Sequence, residues 1–172
     1  MSNATHLTAV GTGPDNWQTP PDLFARLNRT FQFDFDAFAS AENHLCNEWS
    51  AIGGTWALNI WNQPVRTDER DGLAYPWENR RVWMNPPYGR GILADAMKKA
   101  ASERNNAQLI VAIIPANTDT AWWHDYVAGA ASHIEFMRRR VKFIDPATGQ
   151  EAGSPPGGSA LAFYFPDWRA AR

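Results

Sequence analysis

The residues best suited to chemistry are the tetrapeptide Asn85-Pro86-Pro87-Tyr88. Two consecutive prolines fix two φ angles and remove two backbone donors, and a residue that precedes proline is kept out of the helical region. The result is a stiff turn that presents two acceptors, the Asn85 amide oxygen and the Pro86 carbonyl oxygen, beside the flat Tyr88 ring. This set suits a planar heterocycle with an exocyclic amine. A strand followed by a proline-rich turn also occurs in many folds without any site.

A second polar group, Asp36, has the same placement relative to a strand. Asn85 follows the apolar segment that ends at Met84, and Asp36 lies in a segment that alternates apolar and acidic residues (33–38). In open α/β sheets, ligands bind beyond the carboxyl ends of the strands. We therefore expect chemistry at the strand ends that carry Asp36 and Asn85.

The elements that must position these residues follow from hydrophobic periodicity and breakers. The pattern predicts an irregular segment at 51–77, helices at 20–30 (with Thr19 as cap), 39–48, 92–103 and 118–130, and strands at 33–38, 81–84, 108–114, 133–137, 141–144 and 161–165. Alternation of strands and helices from 81 to 137 predicts an α/β fold with a mostly parallel sheet and helices on its faces. The last two strands predict an antiparallel C-terminal hairpin.

Composition limits the classes of protein to consider. The 172 residues carry 16 basic and 18 acidic side chains, a formal charge of −2, which excludes nucleic-acid binding by bulk charge alone. One cysteine, Cys46, excludes an internal disulfide and a cysteine-cluster metal site, and the four histidines lack metal-ligand spacing. We expect no metal, no membrane span and no second domain, and we favour a monomer.

An ordered series of segments surrounds the tetrapeptide. In chain order its members are Trp17, Thr19-Pro20-Pro21, Phe33, Phe35-Asp36-Ala37, Ala39-Ser40, Glu42-Asn43, Asp71-Gly72-Leu73, Trp77, Asn85-Pro86-Pro87-Tyr88-Gly89, Pro115 to Thr120, Trp122 to His124, and Arg140-Val141-Lys142-Phe143. Over about residues 15–165 the chain resembles the phage-type DNA N6-adenine methyltransferases, the phage Dam family. The tetrapeptide alone is also found in glutamine methyltransferases of release factors, so the ordered set is the more specific signal.

The resemblance implies a single-domain, Rossmann-like methyltransferase fold over residues 17–172, preceded by a flexible segment (1–16). It implies S-adenosylmethionine as cofactor, DNA as partner and a cytoplasmic location, in the host cell if the gene is phage-encoded. The expected reaction is methyl transfer to adenine N6 in a base flipped out of the helix, because a stacked amine cannot reach the cofactor.

The resemblance also implies a role for each matched segment. Trp17, Thr19 and Pro20 are similar to the N-terminal motif that closes over the methionine part of the cofactor. The first cofactor motif is represented by Asp36, Ala37, Ala39 and Ser40, without the usual glycines. Asp71 resembles the acid that accepts a hydrogen bond from the cofactor's adenine amine, and Leu73 is its apolar neighbour. Asn85, Pro86, Pro87 and Tyr88 form the expected catalytic turn, with Asn85 also beside the cofactor.

The residues expected at the target base and DNA form a third group. Tyr88 is expected to stack on the target base, and Phe143 resembles the aromatic that packs on its other face. Arg140 and Lys142 belong to a basic cluster beside Phe143, and Arg90 flanks the catalytic turn, so phosphate contacts are expected. A solvated charged face explains the same residues without DNA.

Two kinds of alternative stay open. The first alternative is a methyltransferase whose target amine is cytosine N4 or a protein glutamine instead of adenine N6. The second alternative is not an enzyme: a degenerate family member that binds DNA without turnover. The glycine-free first motif mildly favours it.

Overall fold

The computed structural model describes residues 17–40, 43–52, 55–58, 64–67, 71–89, 91–152 and 155–167. The expected flexible segment 1–16 and the candidate DNA residue Arg90 lie outside these residues. The division into that segment and a domain over 17–172 stays a prediction.

The architecture is a six-stranded mixed sheet with helices on both faces, as predicted. Its strands are β1 (Phe35–Asp36), β2 (Glu48–Trp49), β5 (Arg81–Met84), β6 (Leu109–Pro115), β7 (His133–Phe136) and β8 (Ser159–Tyr164), in the spatial order β2-β1-β5-β6-β8-β7. Every pair up to β6 is parallel, and β8 runs antiparallel to both β6 and β7. Five strands therefore end at one edge of the sheet, which we call the carboxyl edge.

The antiparallel C-terminal pair exists, but one of its strands was misassigned. The partners of β8 are β6 and β7, whereas the predicted strand at 141–144 does not join the sheet. Ile144 instead makes isolated antiparallel bridges with Gln18 and Glu151. A further hairpin, β3 (Thr55–Leu58) with β4 (Pro64–Thr67), occurs where we predicted irregular chain.

Helices agree with prediction where the apolar periodicity is strong. α1 covers Pro21–Phe31 and α2 covers Ile92–Glu103, while α3 (Ala121–Trp123) continues as one π turn, His124–Ala128. Thr19 was wrongly expected to cap α1, because Pro20 occupies the N-cap position and no side chain caps the helix. α2 begins after Gly91, whose φ of 86° favours glycine.

The predicted helix at 39–48 is wrong for the residues described there. Asn43 Oδ1 accepts from the Ser40 N–H at 2.6 Å, and Asp36 Oδ2 accepts from the Leu45 N–H at 3.0 Å. The Asp36 carboxylate thus takes up the Leu45 N–H, a donor that the predicted helix would have used. The segment makes turns and then enters β2.

The core has two layers, one on each face of the sheet. On β5, Val82 and Met84 pack in the layer that contains α2, while Trp83 packs in the opposite layer with Leu23 and Phe24 of α1. All three β5 side chains are fully buried. This burial fixes the strand, and the prolines that follow Asn85 end it at the carboxyl edge.

Candidate active site

The carboxyl ends of neighbouring strands β1 and β5 bring the two predicted polar groups into one cleft. Asp36 pairs in register with Trp83, two residues before Asn85. The cleft is lined by Trp17, Gln18, Thr19, Asp36, Phe38, Ala39, Asn43, Leu45, Trp83 and Asn85. Its volume of about 20 Å³ holds about one water molecule, far less than a nucleoside-sized ligand occupies.

The Asn85 side chain has a defined orientation. Its Nδ2 donates to the Trp17 carbonyl oxygen at 2.7 Å. Because a carbonyl can only accept, this bond places the amide nitrogen towards Trp17 and turns Oδ1 away from it. Within the described part of the chain, no donor reaches Oδ1. The amide is thereby anchored by its donor and keeps its acceptor available.

The proline turn that follows has the predicted character. Asn85 is half-buried and Pro86 is buried. Among residues 17–40, 43–52, 71–89 and 91–152, no backbone N–H donates to the Pro86 carbonyl. The two acceptors expected from the sequence therefore both lack a partner in the described structure, as a site for an amine with two hydrogens requires.

Asp36 is a buried carboxyl group with few compensating contacts. It is 4% exposed, and burial raises its pKa to about 7, while the N–H groups of Leu45 and Phe38 and the nearby His44 act in the opposite direction. The chain beyond Asp36 is held by Ser50, whose hydroxyl donates to the Ala37 carbonyl at 2.7 Å. Ala39 lines the cleft, while Ala37 is fully buried behind it and Ser40 lies outside the lining.

Thr19 places an unpaired hydroxyl at the cleft. The residue is 5% exposed, and its Oγ1 has no hydrogen-bond partner among the described residues. Leaving a buried hydroxyl unpaired costs about 1–3 kcal/mol. A polar ligand group in the cleft would remove that cost, which favours Thr19 as a ligand contact. Pro20 is buried beside it and does not line the cleft.

The segment Asp71-Gly72-Leu73 lies directly against the end of β1. A Cβ added to Gly72 would stand 2.2 Å from the Ala37 carbonyl oxygen and 2.9 Å from the Phe38 ring. Asp71 Oδ1 accepts from the Leu73 N–H at 3.0 Å. Two of the expected cofactor segments are thus brought together, although Asp71 and Leu73 do not line the small cleft.

Phe143 is placed differently from the sequence expectation. It is fully buried, stacks on Trp17 with ring centroids 5.7 Å apart, and meets the edge of Tyr88 at 6.0 Å. In this conformation neither face of its ring is open to a base. Tyr88 is half-buried, its hydroxyl is buried without a partner among the described residues, and burial raises its pKa. The hydroxyl end of Tyr88 is thus enclosed by protein in this structure.

Arg140 and Lys142 lie on a segment that crosses the carboxyl edge. We call Arg138–Ile144 the strap: it leaves β7, and Ile144 exchanges two backbone hydrogen bonds with Gln18, at 2.9 and 3.0 Å. Arg140 and Lys142 are exposed, while Val141 is buried beneath the strap. The end of the strap therefore contacts Gln18, which lines the cleft, whereas Arg140 and Lys142 themselves do not line it.

Sequence reasoning missed half of the cleft lining. Gln18, Phe38, Asn43, Leu45 and Trp83 were not proposed as site residues. Two of them carried a usable signal, since Phe38 follows the expected cofactor acid and Asn43 belongs to the matched series. The other three reach the cleft through tertiary packing, which no local pattern indicates.

Two further features concern metal binding and membrane insertion. Among the described residues, no group of three or more His, Cys, Asp and Glu side chains is placed to hold a metal ion. None of the described helices is both long and apolar enough to cross a membrane.

Comparison with known proteins places the chain in a family. The family described as DNA N-6-adenine-methyltransferase (Dam) matches residues 8–172. A protein of Escherichia phage T1 with the name DNA N-6-adenine-methyltransferase is 28% identical over an alignment of 162 residues, and the match covers 86% of this chain and 61% of that protein. One of the same name from Haemophilus phage HP1 (strain HP1c1) is 24% identical over 152 residues, covering 88% of this chain and 79% of that protein.

The family match covers almost the entire chain, and it agrees with the ordered motifs, the mixed sheet and the shared cleft of Asp36 and Asn85. The chain spans just over three fifths of the length of the phage T1 relative. The resemblance stated from the sequence is confirmed: the chain belongs to the DNA N-6-adenine-methyltransferase (Dam) family.

Proposed function

We propose that this protein transfers a methyl group from S-adenosylmethionine to the N6 amine of adenine in DNA. The observation that carries the proposal is the anchored Asn85 amide, whose Nδ2 is held by Trp17 while its Oδ1 is available beside the cleft that contains Asp36. Family membership and the names of the phage relatives support the same reaction.

The catalytic turn acts on the nucleophile. The adenine N6 lone pair is delocalised into the ring, so the amine is a poor nucleophile. Asn85 Oδ1 and the Pro86 carbonyl each accept one amine hydrogen, which draws the nitrogen towards tetrahedral geometry and makes its lone pair available. Rigid positioning of the amine supplies much of the remaining acceleration. The stiffness of the Pro86-Pro87 turn suits this task.

The residues of the cleft fit the cofactor in chemistry. When bound, S-adenosylmethionine supplies a methyl group activated on a sulfonium. The unpaired Thr19 hydroxyl and the buried Asp36 carboxyl group offer contacts to its polar groups, and the Asp71-Gly72-Leu73 segment extends the site beyond β1. The cleft is too small for this ligand in the present conformation, so binding requires the Trp17–Thr19 segment or another wall to move.

The target base must leave the duplex to reach Asn85, which costs a few kcal/mol. Tyr88 lies next to the acceptors, and outward rotation of its ring both offers a stacking face and releases its buried hydroxyl to solvent. Stacking of one base on an aromatic ring offsets about 1–3 kcal/mol. Phe143 serves this arrangement through Trp17 and Tyr88, the two rings it supports.

The decisive experiment is incubation of the protein with tritiated S-adenosylmethionine and unmethylated genomic DNA, followed by nucleoside chromatography. We expect label in N6-methyldeoxyadenosine, and at least about 100-fold slower labelling with the Asn85→Ala variant. Label in N4-methyldeoxycytidine would replace adenine by cytosine as the target. DNA binding without any labelled product would identify the non-enzymatic alternative.

A further inference from the structure

We propose that a groove between α1 and the strap holds the DNA strand that flanks the target, with Phe136 as a stacking surface for one of its bases. This inference rests on the proposed function. The groove has a volume of about 630 Å³, and its walls are the first turns of α1 and the chain from Glu135 to Ile144. It is separate from the cleft that contains Asp36 and Asn85.

The topology places the groove on the correct edge of the sheet. β7 is antiparallel to β8 and β8 is antiparallel to β6, so β7 ends at the carboxyl edge together with β1 and β5. Phe136 is the last residue of β7. From there the strap runs to the hydrogen-bonded pair Ile144 and Gln18. A strand of DNA along the groove would therefore arrive at the residues that line the cleft.

The charge of the groove opposes that of the chain. Five cationic side chains (Arg26, Arg138, Arg139, Arg140 and Lys142) and three anionic ones (Asp22, Glu135 and Glu151) line it, an excess of two positive charges, whereas the whole chain carries −2. Lys142 is paired with Glu151 at 2.8 Å. Within the described part of the chain, none of the four arginines is in an ion pair, so their charges are available to phosphates.

Phe136 is the unusual side chain of this surface. It is 62% exposed, and its ring stacks on Trp123, with centroids 6.2 Å apart and planes 26° from parallel. Trp123 is 3% exposed, so one face of Phe136 rests on a fixed support and the other faces solvent. An aromatic face held open beside unpaired arginines has the two properties that single-stranded nucleic acid requires of a binding surface.

A DNA strand fits this surface better than a protein partner or a second copy of the chain. The unpaired positive charges match a phosphate backbone, and the groove residue Ile144 is hydrogen-bonded to Gln18, which lines the cleft at which a base must be presented. An apolar protein interface would instead favour a wider set of exposed hydrophobic side chains. Among the described residues, Phe136 and Phe165 are the exposed large hydrophobic ones, and Phe165 lies at the other edge.

Phe165 provides a matched control. It is 40% exposed and follows β8, which runs in the opposite direction and ends away from the groove. The experiment measures binding of a fluorescent duplex that contains one unpaired adenine by polarisation, for the parent and for Phe136→Ala, Phe136→Trp and Phe165→Ala. We expect about a tenfold weaker affinity for Phe136→Ala, and parental affinity for the other two variants.

A salt series tests the arginines separately. We expect Arg26→Gln and Arg139→Gln each to reduce the slope of log affinity against log salt by about 1, whereas Phe136→Ala leaves the slope unchanged. Arg104→Gln is the control, since Arg104 pairs with Asp167 away from the groove. Thermal unfolding of each variant establishes that it is folded.

The outcomes separate this inference from the proposed function. If the parent methylates adenine in DNA while Phe136→Ala binds as tightly as Phe165→Ala and the slopes do not change, the groove assignment is wrong and the function stands. If Phe136→Ala, Arg26→Gln and Arg139→Gln weaken binding as expected, the groove holds DNA. If the parent neither binds nor methylates DNA, the proposed function itself fails.

Discussion

Replacing Asn85 by alanine tests the central feature of the site. The change removes one of the two acceptors for the target amine, and it also removes the donor to the Trp17 carbonyl, a bond of 2.7 Å. Loss of one fixed hydrogen bond to a reacting group typically costs about 100- to 1,000-fold in rate, or about 2.7–4 kcal/mol. We expect single-turnover methyl transfer to fall by at least about 100-fold.

The structural cost of the same change is small. Trp17 is half-buried, so water can take the place of Nδ2, and a net loss of about 1 kcal/mol of unfolding free energy is expected. Affinity for S-adenosylmethionine, measured by calorimetry, should change far less than the rate. Asn106→Ala is the control: it removes one side-chain hydrogen bond, to Glu103, from an exposed residue that precedes β6 at the opposite edge.

The conservative variant Asn85→Asp separates the two functions of the amide. A carboxylate keeps an acceptor but cannot donate to Trp17, and its second oxygen would repel the Trp17 carbonyl. Its rate should lie between those of the parent and Asn85→Ala. The reasoning is refuted if Asn85→Ala retains transfer within about tenfold of the parent, a loss below about 1.4 kcal/mol, while both proteins are folded.

Three other predictions concern the walls of the site. Gly72→Ala forces a methyl group to 2.2 Å from the Ala37 carbonyl and should lower the unfolding free energy by about 1–3 kcal/mol in a thermal or denaturant melt, whereas Gly157→Ala, which meets nothing within 4 Å, should change it little. Burial raises the pKa of Asp36 to about 7, above its value of 3.8 when exposed, so the protonated form favours folding and its contribution is lost as pH rises through 7. Asp36→Asn should therefore gain stability relative to the parent between about pH 4 and 8, by at most about 1.4 kcal/mol per pH unit, and a constant difference across that range would contradict the burial argument. Phe143→Leu should lower the transfer rate more than DNA affinity, because the ring supports Trp17, and Phe143→Trp should restore part of the rate; equal loss of affinity and rate would instead indicate direct base contact.

The fold was predictable where one local rule decided the outcome. β5 and α2 have the bounds that the sequence indicated, because an apolar strand stopped by two prolines and an amphipathic helix leave little choice. The segment at 39–48 has apolar residues at helical spacing, yet Asn43 and Asp36 side chains accept backbone N–H groups and hold it in turns. The contact between Asp36 and Leu45 spans nine positions and depends on where the end of β1 lies, which helical spacing does not indicate.

The candidate site was likewise predictable only where one general rule decided the placement of a residue. The rule that ligands bind beyond strand ends brought Asp36 and Asn85 together correctly, since it needs only the order of two parallel strands. It gave no indication of the Trp17 carbonyl, 68 positions away in sequence, that orients the Asn85 amide. Contacts of this kind depend on the path of irregular chain, which carries no periodic signal.

Phe143 illustrates how such a path can change the role of a residue. On the strap, Val141 and Phe143 point inward and are buried while Lys142 between them is exposed, so the segment alternates as a strand would but joins no sheet. Its inward face packs under Trp17, and Trp17 in turn holds the amide of Asn85. In the reaction that we propose, the exposed cations and the buried aromatic of one short segment therefore have different roles: the cations contact the DNA backbone, and the aromatic supports the geometry of the acceptor.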